Sequence, residues 1–149
     1  MDEMQKRLLR MSKTLIRIDE IYYHAAKTLG VTENMLTLLY ALNDGMAHTQ
    51  KQISQEWMIP KTTINTLVQE CVAAGYVCLK PQVREKEICL TRLGKTYVEM
   101  LLKPLYAAEQ AALAAAAPEL CEELENYAQR LQIEFDRQRT EGDDHEKNH

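Results

Sequence analysis

Apolar residues recur at Leu8, Met11, Leu15, Ile18, Tyr22, Ala25 and Leu29, in steps that alternate three and four. That stepping is the seam of a helix and predicts one from about Glu3 to Leu29, with Gly30 as its stop. Thr32 opens a second helix as its cap, followed by Glu33 and Asn34 in the first turn. Met35, Leu38, Leu39 and Leu42 form its buried stripe, and Asn43-Asp44-Gly45 ends it as a turn. Thr49 with Gln52 three residues on is a capping-box pattern for a short third helix, expected to bury Ile53, Trp57 and Met58. Pro60 suits the first turn of a fourth helix running to about Ala74, with Ile64, Leu67, Val68, Cys71 and Val72 on one face.

The period then changes. Tyr76–Lys80 and Lys86–Thr91 are short, alternating and rich in Tyr, Val, Ile, Cys and Thr, which predicts a β-hairpin. Helical patterning resumes from about Lys95 to Ala117, where Pro104 is expected to kink or interrupt the helix. Pro118 marks the start of a last helix with Leu120, Leu124, Tyr127, Leu131 and Phe135 as its inner face. The predicted fold class is therefore mainly α with a small β-hairpin. A winged helix-turn-helix domain spans 31–94, and a helical region comprises 1–30 and 95–140. Residues 141–149 read as a disordered acidic tail.

Scarce glycine and proline, 5 and 4 among 149 residues, agree with long helices rather than a turn-rich sandwich. The charged start MDEMQKRLLRMSK lacks the apolar core of a signal peptide, and no apolar run is long enough for a membrane helix. A cytoplasmic protein with no membrane association is expected. Cys71, Cys78, Cys89 and Cys121 form no C-x-x-C pair and read as free thiols. The net charge of -4 argues against a nucleic-acid partner until its distribution is considered. Four acids against one base in 141–149 account for most of it, whereas Thr49–Thr91 holds five bases against four acids, a net of +1.

The fourth helix is where the pattern points to chemistry. With its apolar face inward, Lys61, Thr62, Asn65, Thr66 and Gln69 share the opposite face. A merely solvated face usually carries long Glu and Lys side chains. Short uncharged donors and acceptors suit the DNA major groove: Asn and Gln pair bidentately with adenine, and Thr meets a thymine methyl or a phosphate. Lys80, Arg84 and Lys86 on the hairpin add cations for phosphates or the minor groove, opposed by Glu85 and Glu87. Thr49 and Thr63 complete the candidate interface with double-stranded DNA.

From Thr32 to Gly94 the chain resembles the MarR (multiple antibiotic resistance regulator) family. The resemblance rests on TENMLTLLYAL, TQKQISQEWMIPKTTINTLVQECVAAGYV and LTRLG, and with the outer helices it extends over about residues 5–140. It implies a homodimeric repressor acting on a pseudo-palindromic operator. It also implies that 1–30 and 95–140 form the dimerisation region, with a pocket between that bundle and the winged helix for a small aromatic effector. Tyr22, Tyr23, Met35, Tyr40, Tyr97 and Met100 fall near where that pocket would lie, although such stripes are more often plain core. In one respect the chain departs from the family. The wing of the family usually carries Asp-x-Arg, and here Gln82 stands at the Asp position before Arg84, so no ion pair preorganises the arginine. A frequent cation on the recognition helix is replaced by Thr66.

Other readings stay open. Cys78 and Cys89 fall on the two strands of the predicted hairpin, which keeps a thiol-redox regulator in view, although the peroxide-sensing relatives use a first-helix cysteine absent here. A winged-helix protein-interaction module that does not read DNA is a further alternative. Catalysis is not expected: there is no glycine-rich phosphate loop, nucleophile elbow or H-E-x-x-H. His24, His48, His145 and His149 lack ligand spacing, so no metal or cofactor is implied.

Overall fold

A computed structural model describes residues 1–81 and 84–146. Six helices are described: α1 (Glu3–Leu29), α2 (Glu33–Leu42), α3 (Gln50–Trp57), α4 (Lys61–Ala73), α5 (Arg92–Ala115) and α6 (Leu120–Glu146). Three short strands, β1 (His48–Thr49), β2 (Val77–Lys80) and β3 (Glu87–Leu90), form an antiparallel sheet in the order β1-β3-β2. The fold is thus the expected one, helical with a wing. β1, which pairs His48 with Ile88 and Thr49 with Glu87, is an addition to the expected hairpin.

The helix ends follow the residue chemistry. Asp2 and Gln5 form a reciprocal capping box at α1, and Gly30 ends that helix in the left-handed conformation at φ 80°. Thr32 caps α2 by accepting from the Met35 N–H, and Thr49 caps α3 in a second box with Gln52. Between α3 and α4 the structure corrects the expectation. Trp57 and Met58 are not buried: they are 40% and 86% exposed, and Ile59 goes inward instead. The cause is the backbone at Met58, left-handed at φ 53°, which swings the next residue under the helices. The Ser54 hydroxyl donates to the Ile59 carbonyl at 2.7 Å and closes that turn.

The chain divides into two compact units, Met1–Leu105 and Tyr106–His149. All the buried apolar side chains described lie in the first, contributed by Ala26 of α1, α2 (Leu36, Leu38, Leu39, Ala41, Leu42), Ile53, Ile59, α4, the strands and the start of α5 (Val98, Leu102, Leu105). The second unit holds the end of α5 and α6, and α6 has no buried residue among those described. Leu124, Tyr127, Leu131 and Phe135, expected to be an inner face, are all exposed. Leu8, Leu15 and Ile18 of the α1 seam are exposed as well.

Pro104 does not interrupt α5, which is continuous through it. A proline removes one helical hydrogen bond, at a cost of ~3 kcal/mol, and the burial of Leu102 and Leu105 on either side offsets that loss. Residues 141–146, expected to be disordered, continue α6, and 147–149 lie outside the described residues. The Arg137–Glu141 ion pair at 3.2 Å joins two successive turns there.

The wing is tied to the end of α4 by one threonine. Thr91 N–H donates to the Tyr76 carbonyl at 2.9 Å, and its hydroxyl donates to the Gly75 carbonyl at 2.6 Å. That hydroxyl also accepts from the Gly94 N–H at 2.9 Å. Gly94 lies so close to the Tyr76 carbonyl that a Cβ would collide with it. Backbone cannot retreat as a flexible side chain can. Gly94→Ala should therefore destabilise the fold by about 1–3 kcal/mol, as overpacking does. The measurement is the urea midpoint at unchanged slope; an unaltered midpoint would show that the contact yields freely.

Candidate nucleic-acid interface

α4 buries Ile64, Leu67, Val68 and Cys71, at i, i+3, i+4 and i+7, so the opposite face is left uncovered by the described residues. Lys61, Thr62, Asn65, Thr66 and Gln69 are exposed, and Thr63 is half-buried. These are the sequence candidates, and one helix brings them together. The Thr66 hydroxyl donates to the Thr62 carbonyl at 3.2 Å, so Thr66 meets a partner as an acceptor and a methyl group rather than as a donor.

The start of α4 has a property that the residue pattern did not reveal. Pro60 stands at the cap position and offers no side-chain acceptor. The first backbone bond at this end is Ile64 N–H to the Pro60 carbonyl at 3.0 Å. The N–H groups of Lys61, Thr62 and Thr63 therefore have no intrahelical acceptor. Lys61 also sits where the helix dipole disfavours a cation. Both features become favourable when an anion such as a phosphate lies at that end.

The wing places Lys80, Arg84 and Lys86 on the exposed surface. Lys80 pairs in register with Glu87 across β2 and β3. Among the described residues no ion pair engages Lys61, Lys80, Arg84 or Lys86. Gln82, the residue at the family's Asp position, lies outside the described residues. Thr49 has a different task from the other candidates: its hydroxyl accepts from the Gln52 N–H at 3.1 Å and is committed to capping α3. Lys95 is an added cation, near enough to the outer face of the wing to act on the Cys89 thiol.

The six candidate effector residues do not all share one neighbourhood. The Met35 sulfur lies 3.6 Å from the Cys71 sulfur. The Tyr97 ring stacks on Tyr76 with centroids 4.1 Å apart and planes 4° from parallel. Burial first, then Tyr76 and Cys71, raises the Tyr97 hydroxyl above its ordinary pKa. Tyr40 meets Trp57 edge-on at 5.8 Å, and Tyr23 meets the His24 ring and the Lys27 ammonium. Tyr22 is half-buried, and Met100 is 74% exposed. Met35 and Tyr97 thus share the neighbourhood of Cys71, while the contacts of Tyr23 and Tyr40 run elsewhere.

Beside the interface, the His48 ring and the Asp44 carboxylate meet at 2.8 Å. Burial pushes the Asp44 carboxyl up, but bonds from His48 and the Met46 N–H outweigh it and hold its pKa below the ordinary 3.8. A carboxylate depressed on folding stabilises above 3.8 and loses that contribution as pH falls through its folded value. Asp44→Asn should therefore flatten the stability–pH curve below about pH 4, as read from urea midpoints. A curve identical to the parent's would exclude the pair from acid unfolding.

No helix among the described residues is long and apolar enough to cross a membrane, and no cluster of three metal-ligating side chains occurs among them. Residues 29–85 match the model of the MarR family. No curated protein matches the sequence. Among solved structures the chain is similar to a MarR family regulator from Neisseria meningitidis, with 19% identity and a TM-score of 0.77, covering 91% of this chain and 98% of that one. It is also similar to the transcriptional regulator BldR from Sulfolobus solfataricus, with 16% identity and a TM-score of 0.68 over 87% and 99% of the two chains. A third is AbfR of Staphylococcus epidermidis, overoxidized and bound to DNA, with 18% identity and a TM-score of 0.64 over 91% and 99%.

Proposed function

We propose that this chain, whose segment 29–85 is of the MarR family, is a transcription regulator that binds duplex DNA as a homodimer, with α4 in the major groove and the wing on the flanking backbone. The observation that carries this reading is the uncovered face of α4, polar, short and mostly uncharged, at Thr62, Asn65, Thr66 and Gln69. The uncapped start of that helix receives a phosphate, and Lys80, Arg84 and Lys86 follow the backbone beside it. AbfR, which shares the fold, was solved on DNA. A cytoplasmic location and a small-molecule effector that releases DNA belong to the same reading, with Met35 and Tyr97 as the better-placed effector contacts.

Selection of bound sequences from a random duplex pool tests recognition, symmetry and spacing together. The expected product is a pseudo-palindrome with half-sites about one helical turn apart. Affinity for random duplex should fall log-linearly with salt, with a slope of about -0.9 per phosphate neutralised. A protein-interaction module would show no binding even at low salt.

Asn65 separates base reading from phosphate contact. Asn65→Ala should weaken the selected site by ~1–3 kcal/mol and leave random duplex nearly unchanged. Equal losses on the two DNAs, read by fluorescence anisotropy, would remove Asn65 from base recognition.

The homodimer is supported by α6, whose Leu124, Leu131 and Phe135 have no cover in a single chain. Deleting residues 119–149 should yield a monomer in sedimentation. A dimer that survives the deletion would place the subunit contact elsewhere.

A further inference from the structure

The outer face of the wing carries two thiols that the DNA-binding reading does not use. Cys78 and Cys89 are register partners across β2 and β3, and their sulfurs stand 2.9 Å apart. Val77, Ile88 and Leu90 are buried, so strand alternation puts both cysteines on the other face, where they are half-buried. Directly opposed residues of an antiparallel pair have Cα atoms about 4.5–5.5 Å apart. A disulfide accepts about 4.4–6.8 Å. A bond between them thus needs side-chain rotation and no movement of the backbone.

A blander role is that of two small side chains filling space. Their surroundings argue otherwise: the two sulfurs oppose each other and are partly open, and Lys80 and Lys95 stand near Cys89, although burial and then Cys78 leave that thiol above its ordinary pKa. The other two cysteines lack this setting. Cys71 is buried, its thiol pushed up to about 11 by burial and then by Glu70, and Cys121 is exposed on α6.

We propose that Cys78 and Cys89 form a reversible thiol–disulfide site in the wing, oxidised by a hydroperoxide and reduced again by a low-molecular-weight thiol. Either sulfur can attack first and the other resolve it, because the two are register partners 2.9 Å apart; Cys78 is taken as the first. The Cys78 thiolate attacks one peroxide oxygen, the O–O bond breaks, and the leaving oxygen takes up the released proton to depart as an alcohol, or as water from hydrogen peroxide. The Cys89 sulfur then attacks the Cys78 sulfenic acid, the S–O bond breaks, and hydroxide leaves with the Cys89 proton as water. Two thiols and one hydroperoxide give one disulfide, one alcohol and one water, with two electrons passing from sulfur to oxygen. Two small thiols reverse the change and become their own disulfide.

The thiol site stands on the register and separation of the two sulfurs. Its consequence, a cross-linked hairpin presenting Arg84 and Lys86 to DNA, rests on the proposed function. The test uses the full chain, treated with equimolar hydrogen peroxide and digested with trypsin without reductant. Lys80, Arg84 and Lys86 lie between the two cysteines, so cleavage puts them on different peptides. The expected product is those peptides linked, two hydrogens lighter than their sum, and separated by dithiothreitol. In Cys89→Ser, a sulfenic acid on Cys78 should instead be trapped by a cyclic diketone. Recovery of Cys78 and Cys89 as separate unmodified thiols, or only as irreversibly oxidised acids, would overturn the proposal. DNA affinity of the reduced protein is measured in parallel: linked peptides from a protein that never binds DNA would sustain the thiol site and defeat the proposed function.

Discussion

Burial of Ile64, Leu67, Val68 and Cys71 beneath α4 is the constraint on which the winged helix depends. Each such side chain contributes ~1.5–3 kcal/mol when fully withdrawn from water, and all four lie on one side of a helix of 13 residues. Held from that side, α4 needs nothing from Thr62, Asn65, Thr66 or Gln69 to stay folded. The composition of the outer face is therefore free of folding duty. Two details on the same helix agree with that freedom. Lys61 sits against the helix dipole, and the Pro60 cap leaves the first N–H groups without a side-chain acceptor. A helix built for stability alone would place an acid and a Ser or Asp there.

Orientation of the wing relative to α4 comes from backbone contact rather than from side-chain bulk. Gly75 ends the α4 segment in the left-handed region at φ 80°, and β2 begins two residues on. Thr91 then joins Gly75, Tyr76 and Gly94 through three hydrogen bonds, and the absence of a side chain on Gly94 lets α5 start against the Tyr76 carbonyl. The Tyr76–Tyr97 stack extends the same junction one turn along α5. The end of α4, the base of the wing and the start of α5 therefore form one rigid corner. Movement at that corner would shift the wing cations with respect to the groove-facing helix.

Elements whose signal is local were legible before the structure. The span of α1, the caps at Thr32 and Thr49, and the i, i+3, i+4, i+7 face of α4 are each fixed by neighbours within a few turns. So was the exposure of the polar face of α4, because a polar helix face is a local pattern. What escaped depended on distant partners or on unusual backbone. A left-handed Met58 has no residue signature such as glycine would give, so Trp57 and Met58 were expected inside. β1 is two residues long and exists only through β3. The Leu-Thr-x-x-Gly run marked the corner without disclosing why Gly94 must be glycine. Continuity of α5 through Pro104 depends on burial at Leu102 and Leu105, which spacing alone does not show.

Charge and exposed apolar surface divide along the chain in a way that gives the acidic total a sense. The winged segment 49–91 is slightly basic, and much of the excess negative charge lies beyond it, in the chain's last residues. Within α6, Arg137 pairs with both Glu134 and Glu141 on the surface. Exposed pairs of that kind contribute only ~0.2–1 kcal/mol each, whereas ordering backbone costs ~1–2 kcal/mol per residue. A helix of 27 residues with no buried side chain among those described is not sustained by such pairs alone. Leu124, Tyr127, Leu131 and Phe135 recur at helical spacing and supply the apolar surface whose burial can meet that cost. In a second copy the same stripe is available to cover it.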